Sequence, residues 1–404
     1  MTTPTTPTLA KTLPPATMEE KLAFSGLKLN LRCMRILGTM FLDPGAGLLQ
    51  YRIHRVYMRL AILLPFLFIG QQLINIYQVR DDADMVMDCM FNLLTFVNNI
   101  NKQMTLIWKK DQLQALLDDL KGPLFNQEDV RHKRILLDFY RWSRVVFWVC
   151  LSMPITTMVM WSFLSRLPTH RGGNAVEFGI WLPFDPNDDA YFTLVMLYEF
   201  TQLTWLGCNN CNVDTFVTIL LQQCTTQIRI LRLDLETAVE RAQENAESEG
   251  ITFDEAFHKV FTLSLRHYNE IIRLSKNIGH IFGRPIFFQF LVTAWIICTI
   301  VYRIVDVNPT SVLFISMIAY MSCIVVELFL YCYFGTILTY ESMKLTNAAY
   351  YMDWLRLPTR HRRALVIFME RVKSPIELLA GNIVPQSTNT FVSVCFSLIS
   401  FLGC

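Results

Sequence analysis

The sequence predicts an all-α, polytopic membrane protein with seven transmembrane helices, a cytoplasmic amino terminus and an extracellular carboxyl terminus. Three observations carry the prediction: an apolar excess, six apolar runs near twenty residues long with a shorter seventh, and basic residues gathered in alternate connections. Apolar side chains make up 52% of the 404 residues and charged ones 17%, against about 25% charged in an ordinary soluble domain. So large an excess fits a protein whose outer surface faces lipid, where apolar side chains need no burial. The formal charge of +2 comes from 36 basic and 34 acidic residues. No overall field points to nucleic acid, and the placement of the basic residues matters more than their sum.

The first fifteen residues, MTTPTTPTLAKTLPP, lack the basic start, apolar run and cleavage site of a signal peptide. They are expected to be disordered, at the head of a cytoplasmic segment covering 1–59. Four crossings follow within 60–211, at about 60–77, 85–108, 145–164 and 191–211. The second carries Asp88, Asn92, Asn98, Asn99, Asn101 and Lys102, which are costly against lipid and are expected to face other helices or a water-filled cavity. A cytoplasmic helical connection spans 212–277, the fifth and sixth crossings fill 278–339, at about 278–302 and 312–339, a second cytoplasmic helical segment covers 340–387, and the last crossing is 388–404. About 29 of the 36 basic residues fall in the amino-terminal segment and in the stretches 109–144, 212–275 and 340–387. The opposite loops hold only Arg80, Arg166, Arg171 and Arg303, so the first group is cytoplasmic by the positive-inside bias.

The cytoplasmic connections are too apolar for tethers. Residues 215–242 continue the fourth crossing inward, and AQENAESEG at 242–250 reads as an exposed acidic loop. Thr252 then precedes Glu255 at capping-box spacing. Beyond it Phe257, Phe261, Leu265, Tyr268 and Ile272 form an apolar stripe. That stripe packs within one subunit or forms an assembly surface; periodicity leaves both open. Most of the eleven cysteines lie in apolar segments, where thiols pack as small hydrophobes. No disulfide framework is expected. Cys208 and Cys211 form a lone C-N-N-C without a second pair, so neither a metal site nor any other cofactor is expected.

The carboxyl-terminal third carries AAYYMDW at 348–354 and RHRRALVIFMERVKSPIELLAGNIVPQSTNTFVSVCFSLISFL at 360–402. These segments resemble the insect odorant receptor family: alanine and tyrosine before tryptophan, a basic helix ending in proline and leucine, alanine-glycine, then a serine-led last helix. The matching positions include Ala349, Tyr350, Trp354, Arg362, Arg363, Arg371, Pro375, Leu378, Ala380, Gly381, Ser387, Phe391 and Ser400. LRHYNEIIRL at 265–274 and WLPFDP at 181–186 are weaker matches. The threonine-tyrosine and glutamine signature of gustatory receptors is absent, and the 212–277 connection is shorter than that of the odorant co-receptor. The resemblance implies a ligand-tuned subunit of a heterotetrameric, odorant-gated, non-selective cation channel that assembles with the insect odorant co-receptor. It also implies residence in the plasma membrane of olfactory sensory neuron dendrites. Within 340–387, Tyr350, Trp354, Arg362, Arg371, Pro375 and Gly381 would serve assembly.

The last crossing has no charged side chain, and Ser393, Ser397 and Ser400 recur at three- and four-residue spacing, giving one polar face. Spacing alone leaves pore lining and close helix packing both open. The resemblance assigns the helix to the pore, with a gate near Phe401, Leu402 and Cys404. It also places a pocket for a small volatile odorant in the outer half, among the second, third, fourth and sixth crossings. There Met87, Met90, Phe91, Met158, Trp161, Tyr198, Phe314, Met317 and Met321 are the candidates. Adaptable methionines among aromatic rings suit a small aromatic ligand. Asp88, Glu199 and Glu327 are the buried carboxyl candidates, expected to serve packing or conduction more than chemistry. Rival classes fit less well. A G-protein-coupled receptor has an extracellular amino terminus, and here no Asp-Arg-Tyr follows the third crossing. A membrane enzyme would need paired histidines or facing carboxylates, and the seven histidines are scattered. No internal repeat suggests a transporter.

Overall fold

The computed structural model describes residues 22–42, 47–126, 129–164, 179–184, 188–305, 308–309 and 311–402, with a few helical side chains left out. The elements run α1 (Leu22–Ser25), α2 (Lys28–Ile36), α3 (Leu48–Gln78), α4 (Ala83–Trp108), α5 (Lys110–Leu120) and α6 (Val130–Leu164). They continue with α7 (Asp189–Glu236), α8 (Ala238–Glu249), α9 (Phe253–Ile304), α10 (Val312–Tyr351), a 3₁₀ turn (Trp354–Arg356) and α11 (Thr359–Val372). A two-stranded hairpin of β1 (Leu379–Ala380) and β2 (Val384–Pro385) then leads into α12 (Thr388–Leu402).

Every expected crossing lies on its own helix: α3, α4, α6, α7, α9, α10 and α12. Among the described residues, α3, α6, α9 and α10 contain apolar windows long enough to cross a bilayer. The helices α4 and α7 fall short because polar residues interrupt them, and α12 has 15 residues. Several of those interruptions point inward, while the side chain of Asp88 lies outside the described residues. Asn98, Asn99 and Lys102 of α4 and Asn209, Asn210, Asn212 and Asp214 of α7 are all buried, the placement that a surrounding bilayer demands. Leu60, Leu63, Leu67, Trp148, Val149, Leu291 and Trp295 are exposed instead, as side chains that contact lipid.

Several helices are far longer than a membrane is thick. The 52 residues of α9 span roughly 78 Å against a hydrocarbon core of about 30 Å. The surplus, with α5, α8 and α11, builds a cytoplasmic bundle around Phe216, Leu220, Ile228, Leu235, Phe257, Ile271, Leu345 and Phe368. The capping box forms: Glu255 N–H donates to Thr252 Oγ1 at 3.3 Å, and Thr252 N–H to Glu255 Oε2 at 3.4 Å. The apolar stripe of α9 packs within the subunit. Phe257 lies 4.9 Å from the His361 ring, and Tyr268 stacks edge-on with Phe368 at 5.5 Å. Glu341 of α10 is gripped by Arg229 at 3.2 Å, Arg232 at 2.9 Å and Lys344 at 3.3 Å, tying α10 to α7.

One expected loop is a helix. Residues 242–249 belong to α8, whose Ala238, Val239 and Ala242 are buried while Glu244, Glu247 and Glu249 are exposed. The burying positions precede the acidic run, so the run alone hides the helical period. Gly250, at φ +66°, ends the helix in the left-handed conformation. The inward extension of the fourth crossing likewise divides at Thr237, whose hydroxyl donates to the Leu233 carbonyl at 2.8 Å.

The hairpin seats the last helix. Gly381, at φ +61°, donates its N–H to the Gly283 carbonyl of α9 at 2.8 Å. A Cβ on Gly335 of α10 would stand 2.1 Å from the Gln386 carbonyl oxygen, so only glycine permits this approach. Thr388 N–H donates to Thr336 Oγ1 at 2.9 Å, anchoring α12 on α10.

Two outcomes follow. Gly335→Ala should abolish surface expression or lower Tm by many degrees, whereas Gly279→Ala, whose added Cβ meets Leu378 at an ordinary 3.4 Å, should be tolerated; thermal melts of purified protein separate them. Burial holds His267 at about 4, where its Nε2–H donates to Gln227 Oε1 at 2.9 Å. Its neutral form is therefore the folded one. Because the unfolded state binds the extra proton first, stability is retained above pH 6.5 and falls between pH 6.5 and 4. In His267→Gln that fall should be shallower.

Candidate functional site

Two apolar clusters occupy the outer half of the membrane region. The first joins α4, α9 and α10: Val292, Ile296 and Ile300 of α9 with Met317 and Ile324 of α10, flanked by Phe91, Leu94, Tyr320 and Met321. The Phe91 and Tyr320 rings lie 5.6 Å apart. The Tyr320 hydroxyl hydrogen-bonds Thr95 Oγ1, and Thr95 also donates to the Phe91 carbonyl at 2.9 Å. Here adaptable methionines, two aromatic rings and a hydroxyl pair meet, which is the composition of a site for a small, mostly apolar molecule.

The second cluster joins α3, α4 and α7 through Phe68, Phe96, Val195, Met196 and Leu206, with Ile180 from the preceding loop. Phe68 stacks on Phe96 at 4.6 Å. Tyr198 packs here and not with the first group: its hydroxyl donates to Gln71 Oε1 at 2.8 Å, and its ring lies 6.0 Å from Phe68. Glu199 is buried beside it, with Oε2 unpartnered.

Among the sequence-derived pocket candidates, Phe91, Met317 and Met321 come together. Met90, Met158 and Phe314 are half-buried, and Met87 is 36% exposed. Phe314 N–H is capped by Ser311 Oγ at 3.1 Å. The side chain of Trp161 lies outside the described residues. Thr95 and Tyr320 escaped sequence reasoning, although a threonine and a tyrosine in otherwise apolar crossings are the signal that could have singled them out.

Toward the cytoplasmic side, a polar network crosses four helices. Lys102 of α4 donates to Asn210 Oδ1 at 2.7 Å and pairs with Asp214, both on α7, and Lys102 and Asp214 are nearly inaccessible. The Tyr331 hydroxyl of α10 donates to Asp214 Oδ1 at 2.6 Å. Glu327 of α10 accepts from Asn210 at 2.8 Å, Gln289 of α9 at 3.1 Å and the Cys211 thiol at 3.4 Å. Every charge has a partner, which a bilayer interior requires. Lys102 and Glu327 were visible as intramembrane charges. Asp214 was not, because it lies just past the apolar run of the fourth crossing.

The last helix presents Ser393 and Phe396 to the surface. Ser397, Ser400, Phe401 and Leu402 continue α12, but their side chains, and all of Cys404, lie outside the described residues. Among the residues expected to serve assembly, Tyr350 is 59% exposed and Trp354 packs against the cytoplasmic core. Arg362 Nε donates to the Leu357 carbonyl at 2.7 Å. Arg371 is exposed, Pro375 is half-buried, and Gly381 turns the hairpin. Among the described residues no group of histidine, cysteine and acidic side chains could hold a metal.

These features define a polytopic membrane protein. Residues 83–397 match the family model described as 7tm Odorant receptor, and the chain belongs to the odorant receptor family, one of receptors and not of enzymes. It is similar to odorant receptor 94a of Drosophila melanogaster, 26% identical over 284 residues and 69% of each chain. Odorant receptor Or1 of Anopheles gambiae is 20% identical over 397 residues and 93% of each chain. Two solved structures of the insect olfactory receptor OR5 from Machilis hrabei, one in complex with eugenol, match with TM-scores of 0.78 and 0.79. They share 16% identity and cover 93% of this chain and 96% of that one, so the likeness is one of fold.

Tyr331→Phe should destabilise the protein by about 1–3 kcal/mol, because it removes the hydroxyl donor from a buried carboxylate. Tyr320→Phe should leave the melting temperature nearer the parent's, since Thr95 retains its own carbonyl acceptor.

Proposed function

We propose that this chain is the odorant-binding subunit of a heteromeric, ligand-gated, non-selective cation channel, assembled with an insect odorant co-receptor as a heterotetramer. Its place would be the plasma membrane of olfactory sensory neuron dendrites. The observation that carries the reading is the Phe91, Thr95, Tyr320, Met317 and Met321 group, a small apolar site with one hydroxyl pair in a chain of the odorant receptor family. An aromatic odorant bearing a hydrogen-bonding oxygen matches that composition. Eugenol, bound in the OR5 structure, is a ligand of this kind.

A neutral ligand opens a channel only by binding the open arrangement more tightly than the closed one. Phe91 lies on α4 and Met317, Tyr320 and Met321 on α10, and α10 also carries Thr336 and Gly335, the seats of α12 and its hairpin. A shift of α10 about the ligand would therefore reach the last helix directly. In this reading Ser393, Ser397 and Ser400 line the ion path, and Phe401, Leu402 and Cys404 close its outer end. Tyr350, Trp354, Arg362, Arg371, Pro375 and Gly381 belong to the segment through which subunits assemble.

Whole-cell cation current evoked by a panel of volatiles is expected from cells expressing this chain together with a co-receptor, and not from either chain alone. Absence of evoked current despite surface co-assembly would contradict the proposal. Tyr320→Phe should raise the half-maximal concentration for phenolic odorants about tenfold while leaving hydrocarbon odorants unchanged, the loss of one hydrogen bond. Leu402→Ser should raise ligand-free current.

A further inference from the structure

A cavity of about 520 Å³ lies apart from both outer clusters, at the cytoplasmic ends of α3 and α4. Met40, Leu42, Leu48, Leu106 and Leu113 give it an apolar wall, while Tyr51, Lys110, Asp111 and Gln114 contribute polar groups. Lys110 Nζ rests 4.1 Å from the centre of the Phe41 ring, and the Arg55 guanidinium lies 4.7 Å from that of Tyr51. Tyr51 and Lys110 both line the cavity and Arg55 rests on the Tyr51 ring, so both cations stand at its edge; hydrogen bonding from Arg55 also draws the Tyr51 phenol below its ordinary value. Among the described residues neither cation is ion-paired. Among the described residues Asp111 is the one carboxylate of the lining.

The apolar wall of this cavity selects an amphiphile over a soluble anion. Along α3, Leu48, Leu49, Ile53 and Val56 are each more than half exposed and alternate with Arg52, Arg55 and Arg59. Apolar side chains that face outward between arginines mark the boundary of acyl chains and headgroups on the cytoplasmic side. A free phosphate would satisfy the cations and leave the leucine wall uncovered. We propose that this cavity binds an anionic phospholipid of the cytoplasmic leaflet, its phosphate held between Lys110 and Arg55 and an acyl chain lying along Leu48, Leu106 and Leu113. The site is separate from the odorant group and stands whether or not the chain conducts.

The test is photolabelling of the full-length chain in liposomes of phosphatidylcholine and phosphatidylserine, with a photoactivatable analogue of either lipid and peptide mapping of the adducts. The phosphatidylserine probe should label peptides containing residues 39–51 and 106–114, and the phosphatidylcholine probe much less. Labelling should fall about tenfold in the Arg55→Gln, Lys110→Gln double variant, the loss of two basic residues at a membrane surface. It should also fall in Leu106→Trp, which fills the cavity without changing charge, and persist in Lys110→Arg. Monodisperse elution of each variant shows that it folds. Equal labelling by both probes, adducts confined to other peptides, or labelling unchanged in the double variant and in Leu106→Trp would each overturn the proposal. So would its removal by soluble glycerophosphoserine, which would mean that the headgroup alone is recognised.

Discussion

Lys102 and Asp214 meet where the surrounding bilayer excludes water, and the helices that supply their partners are thereby fixed to one another. An unpaired charge in such a place costs several kcal/mol, and removing one member of a buried pair typically costs about 3–5 kcal/mol. Asn210, Tyr331, Gln289 and Cys211 donate to the two carboxylates around the lysine. The pairing tolerates no rotation of α4, α7, α9 or α10 that would turn any of these side chains toward lipid. Apolar packing in a membrane supplies no such constraint, because lipid is as good a neighbour for leucine as another helix.

The network thus fixes the phase of the helices whose outer ends hold Phe91, Tyr320 and Met321. Tyr320 and Glu327 stand seven residues apart on α10, about 10 Å along the axis. The same helix holds the close approach of Gln386 at Gly335 and the anchor of α12 at Thr336. One helix therefore runs from the candidate pocket, through the polar network, to the seat of the last helix. In the proposed channel, α10 is the physically continuous element placed to couple the ligand to the last helix.

The crossings were legible because length and basic-residue placement depend only on bilayer thickness and charge. The inward face of α4 was legible for the same reason, since asparagines and a lysine have nowhere else to go. The rotational phase of the apolar crossings was not. On α10 both the lipid-facing and protein-facing sides are apolar, so nothing in the pattern distinguished Met317 from exposed Ile315 or Ile318. Met87, Phe91 and Tyr198 were equally plausible in sequence, yet Met87 lies partly exposed and Tyr198 turns to Gln71. The alanine-glycine pair at Ala380 and Gly381 could be read as a family mark. Its physical reason lies in Gly283 and Phe287 of α9, and close approach between distant segments leaves no local trace. The helix α8 was hidden because its burying positions stand before the acidic run that drew attention.

The most direct measurement is a cryo-electron-microscopy map of this chain assembled with a co-receptor, with and without a phenolic odorant that evokes current. The account predicts odorant density against Phe91, Tyr320 and Met321, with displacement of α10 and α12 between the two maps. Density between α3 and α7 beside Tyr198 and Gln71, with the Tyr320 group unchanged, would contradict it.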